Sequence, residues 1–451
     1  MRTQWSSEKR FVVLCSFVLI LSLSAREAAA EKVLGHDSDW TVFTDGRVAA
    51  FLDYIHADGY PTAPVDANGA PLYDIRGGGM LADAEKPLQA SGATGQAPRG
   101  TIERLRIRSG FIGNTLGFGV RGPVTANTTV KGYIQLWAWV ENEGEQKGVV
   151  TWPDVRQGYI KLEGWWGSVL VGRGRGLFSR GATDIDSLYG HGFGVGYPGA
   201  VDSSPGGFAQ GHVGFGVLGS GFATGIVYGT PTLGGFQLNL GAFDAVRLQG
   251  AWTRTKWPRG ESEITFERPI RQLGKFVIFA NGAYQREYQG GYPDSINTSA
   301  IGFGYGGRLE LGPVRFGAAG HYGHGLGLNY ALEQSDAALS TAGKLRWFDG
   351  YYAQAMVVIR KVDVSAGWGI TRVFLNPDDQ IPYVIKTINP TGTSSAPPDV
   401  IKYQQGISCG AVYHIKPWLH IDVDLFRANF RWYQGDTQVA YIANSGMIFT
   451  W

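Results

Sequence analysis

Arg104, Arg106 and Arg108 alternate with Leu105 and Ile107. In an extended chain that alternation puts three guanidinium groups on one face and two aliphatic side chains on the other. Fixed cations in a row do electrostatic rather than covalent chemistry. If the aliphatic face meets lipid, the arginines cannot, since each would cost roughly 2–4 kcal/mol at a bilayer midplane. They would then line a watery interior, where such a row attracts anions and repels cations through its field. Arg47 falls on the polar parity of an earlier alternating segment, beside Asp45, and extends the same positive wall if the two segments pair. The competing reading is a basic rim at the headgroups, or a salt-bridged wall with no part in transport. Charge of opposite sign comes from Asp184 and Asp186. Folded inward, they face the arginine row across a constriction; alternatively they only cap a turn, which Asp favours whatever the function.

Sites for other chemistry do not assemble in the sequence. His321 and His324 are three apart, so on a strand they face opposite sides, and the chain has neither H-E-x-x-H nor C-x-x-C. No metal and no cofactor is expected. The stretch Leu218-Gly219-Ser220-Gly221 stops short of a nucleophile elbow, because Leu218 stands where the first glycine belongs. The strings VGRGRG and GFGYGG are followed by no helical period, which excludes a dinucleotide fingerprint. The chain reads as a non-enzyme. Tryptophans such as Trp137, Trp139, Trp152, Trp165, Trp368 and Trp418 fall near segment ends, as interfacial girdles do. Their rival role is a stacking slide for sugars inside a lumen.

The elements that must position these residues are strands. The chain repeats alternating segments of roughly 9 to 15 residues, the length and period of strands with one lipid face and one lumen face. The first runs from Trp40 to Tyr54, with Val42, Val48, Leu52 and Tyr54 on one side and Asp45, Arg47 and Asp53 on the other. The next four run from Thr101 to Arg121, Val130 to Glu141, Val155 to Glu163 and Ser168 to Arg173. Beyond a long Gly-rich excursion, further pairs meet at Thr232 to Gly235, Gln272 to Gly274, Gly312-Pro313, Arg360-Lys361 and Lys416-Pro417, and Val439 to Trp451 is the last segment. Short and long connections alternate. The expected fold is all-β, a 16-stranded antiparallel transmembrane β-barrel; fourteen or eighteen strands also fit, because the Gly-rich stretch 212–228 blurs the boundaries.

Both ends of the chain agree with export to a membrane. Arg2, Lys9 and Arg10 precede an apolar run from Phe11 to Leu23 and small residues at Ala28, Ala29 and Ala30. That is the pattern of a cleaved secretory signal over residues 1–30, and the run is too short for a spanning anchor. Residues 31–451 then form one barrel domain with equal numbers of acidic and basic residues, which argues against nucleic acid as a partner. Cys409 is the one cysteine left, so no internal disulfide forms. With 67 Gly, 13% aromatic residues and a mean hydropathy of -0.10, the chain is too polar for a helical membrane bundle and suited to many strands and tight turns. At the far end Tyr441, Ala443, Met447, Phe449 and Trp451 share one parity, Asn444, Gly446 and Thr450 the other.

The opening DWTVFTDGRVAAFLDY, the passage VRQGYIKLEGWWGSVLVGRG before the long excursion, and the aromatic last residue resemble the general bacterial porins over nearly all of residues 31–451. That resemblance implies a trimer of 16-stranded barrels in the outer membrane of a Gram-negative bacterium. It also implies an inward-folded third extracellular loop whose acids face arginines on the barrel wall. The stretch DIDSLYGHGFGVGYPG lacks the Pro-Glu-Phe-Gly-Gly tip of many relatives. The expected function is a water-filled channel for passive diffusion of small hydrophilic solutes and ions, mildly anion-preferring, with a substrate-specific channel for a sugar, phosphate or other anion as the alternative and a barrel enzyme or adhesin behind it. The expected constriction comprises Arg47, Arg104, Arg106, Arg108, Asp184 and Asp186.

Overall fold

In the computed structural model the described residues are 31–59, 61, 74–76, 101–110, 112–138, 154–189, 212–245, 252–254, 256–289, 296–332, 340, 344–380 and 398–451. The signal segment, Trp139, Trp152, His191 and the end of the DIDSLYGHGFGVGYPG stretch lie outside them.

Sixteen strands form the wall. They are β1 (Trp40–Asp58), β2 (Thr101–Arg108, resumed as Asn114–Thr125), β3 (Thr128–Ala138), β4 (Asp154–Gly164), β5 (Gly167–Arg175), β6 (Phe222–Gly229), β7 (Phe236–Phe243) and β8 (Trp252–Arg254, resumed as Arg259–Ile270). They continue as β9 (Gly274–Gln289), β10 (Ile296–Leu311), β11 (Val314–His324), β12 (Trp347–Ile359), β13 (Val362–Phe374), β14 (Pro398–Lys416), β15 (Leu419–Trp432) and β16 (Thr437–Thr450). Each pairs antiparallel with the next, and each turn read from the sequence falls between two of them. The wall closes where β16 meets β1, with Arg47 opposite Thr450 and Ala57 opposite Ala440. No strand edge is left open there.

Side-chain parity follows the sequence alternation. Leu105 and Ile107 point outward and remain 63% and 68% exposed, as Val48, Leu52, Ile160, Ile226, Phe303 and Leu425 also remain largely exposed. On β1 the other parity carries Phe43, Asp53 and Ile55, all buried inside. An apolar outer surface around a closed, polar-lined wall is the inverse of a water-soluble barrel. It is the arrangement that lipid demands, since no backbone group faces hydrocarbon unpaired.

The two ends of the described chain share one strand position beside β1. Lys32–Asp37 pairs with the start of β1, and β16 pairs with the remainder. Trp451 and Gly46 exchange two backbone hydrogen bonds of 3.0 and 3.1 Å at the junction. A Cβ on Gly46 would run into the Trp451 indole. Gly46→Val should therefore break the junction and lower the barrel's unfolding free energy by about 1–3 kcal/mol. Denaturant unfolding in lipid vesicles, followed by tryptophan fluorescence, measures the loss.

Two stretches of chain enter the lumen. Gly176 to Tyr189, with the short helix α1 (Arg180–Ile185), packs on the inner side of β9, β10 and β11. Residues 212–220 lie against β11 to β15, where Phe215 joins a buried cluster with Phe348, Phe426 and Phe430.

Candidate pore-constriction site

The chain leaves β5 and turns onto the wall because buried carboxylates on β8 collect its backbone donors. Leu177 and Phe178 N–H donate to Glu261 Oε2 at 2.6 and 3.0 Å. Gly181 N–H donates to Glu263 Oε1 at 3.1 Å, and Arg180 Nε donates to Glu263 Oε2 at 3.0 Å. From β12, Tyr352 Oη donates to the Ala182 carbonyl at 2.8 Å. Gln354 accepts from Ser187 N–H at 3.0 Å and donates to the Ile185 carbonyl at 2.6 Å. Each contact satisfies a backbone group that would otherwise be stranded in a crowded lumen.

The two aspartates of this stretch have different surroundings. Asp184 is half exposed and pairs with Arg175 Nη1 at 2.8 Å, while its carbonyl accepts from Arg308 Nη1 at 3.1 Å. Asp186 is fully buried: it accepts from Leu188 N–H at 3.0 Å and His212 N–H at 2.7 Å, with His212 Nδ1 at 3.2 Å. Asp186 thus joins the two inward stretches to each other. The second stretch is held by Gly216 N–H donating to Thr371 Oγ1 at 2.9 Å and by Phe215 packed edge-on to Phe426, centroids 4.9 Å apart. Gly216 has φ 101° and lies so near the Tyr351 carbonyl that a side chain would not fit.

The other side of the lumen is the wall of β15, β16, β1 and β2, and its register forms one row. Asp424 stands opposite Asn444, Asn444 opposite Asp53, and Asp53 opposite Arg106. A parallel row runs from Asp422 through Gly446 and Phe51 to Arg108. The side chains at 104, 106 and 108 lie outside the described residues; their backbone positions alternate with Leu105 and Ile107, which point outward. Arg47 faces inward, with Asp422 in electrostatic reach; its Nε and Nη2 have no hydrogen-bond partner among the described residues. The register therefore lines carboxylates up with the expected basic positions, and Asp53, Asp422 and Asp424 are at most 1% exposed. Sequence reasoning missed Asp422 and Asp424 as part of this wall. They lie far along the chain from Arg106, and only closure of the barrel brings them to it. Alternation along 419–432 was the available signal.

On β1 to β4 the inner face carries an aromatic strip flanked by cations. Phe43 and Tyr133 stack at 6.2 Å, and Tyr133 and Tyr159 lie 5.4 Å apart. Lys131 Nζ stands 4.7 Å above the Phe43 ring, and the Arg156 guanidinium 5.1 Å above Trp137. Tyr133 Oη donates to Asp45 at 2.7 Å. A recess of about 730 Å³ opens here, lined by Arg121, Lys131, Tyr159 and Lys161 among others. Trp137, read from the sequence as a girdle residue, is 8% exposed on this inner face, because it lies on the lumen parity of β3. Trp165 and Trp418, by contrast, are exposed beside short turns, as girdle residues are.

Glu31 borders the recess, with Lys131 Nζ at 2.7 Å and Arg121 beside it. Burial pushes the Glu31 carboxyl up, but Lys131 and Arg121 outweigh that and hold it below its ordinary 4.5. A lowered carboxyl contributes attraction that is present above its ordinary range and lost as pH falls through the lowered value.

A closed barrel with a lipid-facing exterior, a charged interior and chain docked inside it is the fold of outer-membrane porins. Solved structures agree on the fold. The outer membrane channel DcaP of Acinetobacter baumannii superposes with a TM-score of 0.59 at 12% identity, covering 93% of this chain and 100% of DcaP. The anion-selective porin from Comamonas acidovorans gives 0.54 at 13% identity over 91% of this chain and 100% of that porin. OmpF of Salmonella typhi, in complex with daunomycin, gives 0.51 at 10% identity over 92% and 99%. No family model and no curated protein matches the sequence.

Two outcomes test this geometry. Glu263→Ala removes one partner of a buried ion pair that Arg180 leaves a quarter exposed. It should cost about 3 kcal/mol of loop docking, read in planar bilayers as a larger, noisier unitary conductance with the barrel still folded. Acidification through the Glu31 titration, or Glu31→Gln at neutral pH, should loosen Lys32–Asp37, read as faster amide exchange there.

Proposed function

We propose that this protein is a passive, water-filled channel for small hydrophilic solutes and ions, narrowed between the docked stretch around α1 and the inner wall of β1 and β2. The observation that carries the reading is the one-sided docking of the inward chain. Its packing and hydrogen bonds run from β6 to β15, with Tyr189 in electrostatic reach of Arg47 on β1, whereas the recess on β1 to β4 stays open. Arg47 and positions 104, 106 and 108 form the basic side of the constriction, and Asp184 presents the acidic side. Asp186 acts through the loop rather than in the water, by holding the two inward stretches together. No reaction is assigned to the barrel.

A mild anion preference accompanies this reading. Arg121, Lys131, Lys161 and Arg156 line the inner face of β2 to β4. Asp53, Asp422 and Asp424 moderate the arginine side, so selectivity should be graded and salt-sensitive rather than absolute. The Comamonas porin is described as anion-selective. The aromatic strip favours a second reading, a specific channel in which a planar or sugar solute binds saturably on the way through. The proposal further takes residues 1–30 as a cleaved signal and the assembly as a homotrimer. The intact mass of the exported chain and its light-scattering mass in detergent test those two points.

Single-channel recording of the purified barrel tests the whole. A diffusion channel should conduct in proportion to salt, without saturable block, and give a reversal potential on the anion side in a salt gradient. Neutralising Arg104, Arg106 and Arg108 together to Gln should move that potential toward cations. A barrel that never conducts overturns the proposal, and a clear cation preference of the unmodified channel overturns its anion preference. Concentration-dependent block by one solute transfers the reading to a specific channel.

A further inference from the structure

The hairpin between β14 and β15 turns at Lys416-Pro417, and its register sets His414 directly across from His420 on the inner face. Their Nδ1 atoms face each other at 2.6 Å, with the ring planes crossed at 81°. Both outer nitrogens are already engaged. His414 Nε2 lies 2.7 Å from Asp363 Oδ2, and His420 Nε2 lies 3.0 Å from the Pro417 carbonyl oxygen. A carboxylate and a carbonyl only accept, so each Nε2 carries a proton. In two neutral rings this leaves two Nδ1 lone pairs against each other, which repel unless one electron-poor centre binds both.

Metal-binding histidines are prepared in this way. The second ring nitrogen donates to a carboxylate or backbone carbonyl, which fixes the tautomer and directs the free lone pair at the ion. We propose that His414 and His420 chelate one divalent transition-metal ion through their Nδ1 atoms, at the short-turn mouth of the barrel. Asp363 and the Pro417 carbonyl serve as the outer shell. Imidazole pairs suit copper, nickel and zinc, with copper bound most tightly. Metal–nitrogen bonds of about 2.0–2.1 Å set two cis nitrogens about 2.9 Å apart. The rings must part by only a few tenths of an ångström, and His414 stands near the rim with a quarter of its side chain exposed.

No third His, Cys, Asp or Glu converges on the pair among the described residues, so water fills the remaining positions and the ion exchanges readily. Asp422, two residues along β15 from His420 and also inward, adds a field that favours a cation. Both ligands come from the one hairpin, and Asp363 reaches His414 from the neighbouring β13. The site is independent of whether the pore conducts.

The test uses the full chain folded in detergent, without a histidine tag, titrated with copper(II) near neutral pH. Calorimetry should give one ion per chain, and electron paramagnetic resonance should show nitrogen couplings from two imidazoles. His414→Ala and His420→Ala should each abolish the two-nitrogen spectrum, and Asp363→Asn should weaken binding about tenfold. The folded barrel's gel mobility confirms that each variant has folded; His414→Asn and His420→Asn replace an alanine variant that has not. Copper that binds without nitrogen couplings, no binding at all, or a spectrum unchanged in both histidine variants overturns the proposal and leaves the rings joined by a shared proton.

Discussion

Within hydrocarbon there is no water to accept a stray backbone hydrogen bond, and every other feature of this molecule depends on meeting that condition. The β16–β1 register is where the sheet ceases to have an edge. The exchange between Gly46 and Trp451 seals the end of that seam, and Lys32–Asp37 continues it past the last residue. Once the wall is closed, the period-two alternation of each strand becomes a statement about inside and outside rather than about two faces of a sheet.

The same closure decides the electrostatics of the interior. A row such as Asp424, Asn444, Asp53 and Arg106 spans four strands whose members come from opposite ends of the chain. The register thus brings carboxylate positions of β15 and β1 into line with a basic position of β2. The docked chain obeys the rule that governs the wall. Glu261 and Glu263 are buried at 6% and 2% exposure, a costly position for carboxylates. They are tolerated because three backbone N–H groups, Arg180 and Arg259 converge on them, and that convergence pins the loop. Breaking such a pair on one side strands a buried charge, so the loop's position is more strongly specified than its few contacts suggest.

Much of this could be read from the residues in order. Alternation across Trp40–Asp58 or Val439–Trp451 depends only on neighbours two apart, so strand identity and the short turns at Gly312-Pro313 and Arg360-Lys361 are local properties, while the choice of sixteen strands over fourteen or eighteen waited for the fold. The parity of Arg47, and of positions 104, 106 and 108 against Leu105 and Ile107, is local in the same sense. What surrounds them is not. That Asp424 belongs to the row ending at Arg106, that Asp186 binds His212 instead of facing water, that Trp137 lies under Arg156, and that His414 meets His420 are contacts set by register and closure. Sequence alone determined which face each side chain takes, because a strand's period is fixed by its backbone. Only the tertiary structure decided which side chains share a point in space, because pairing register joins residues that the chain itself keeps far apart.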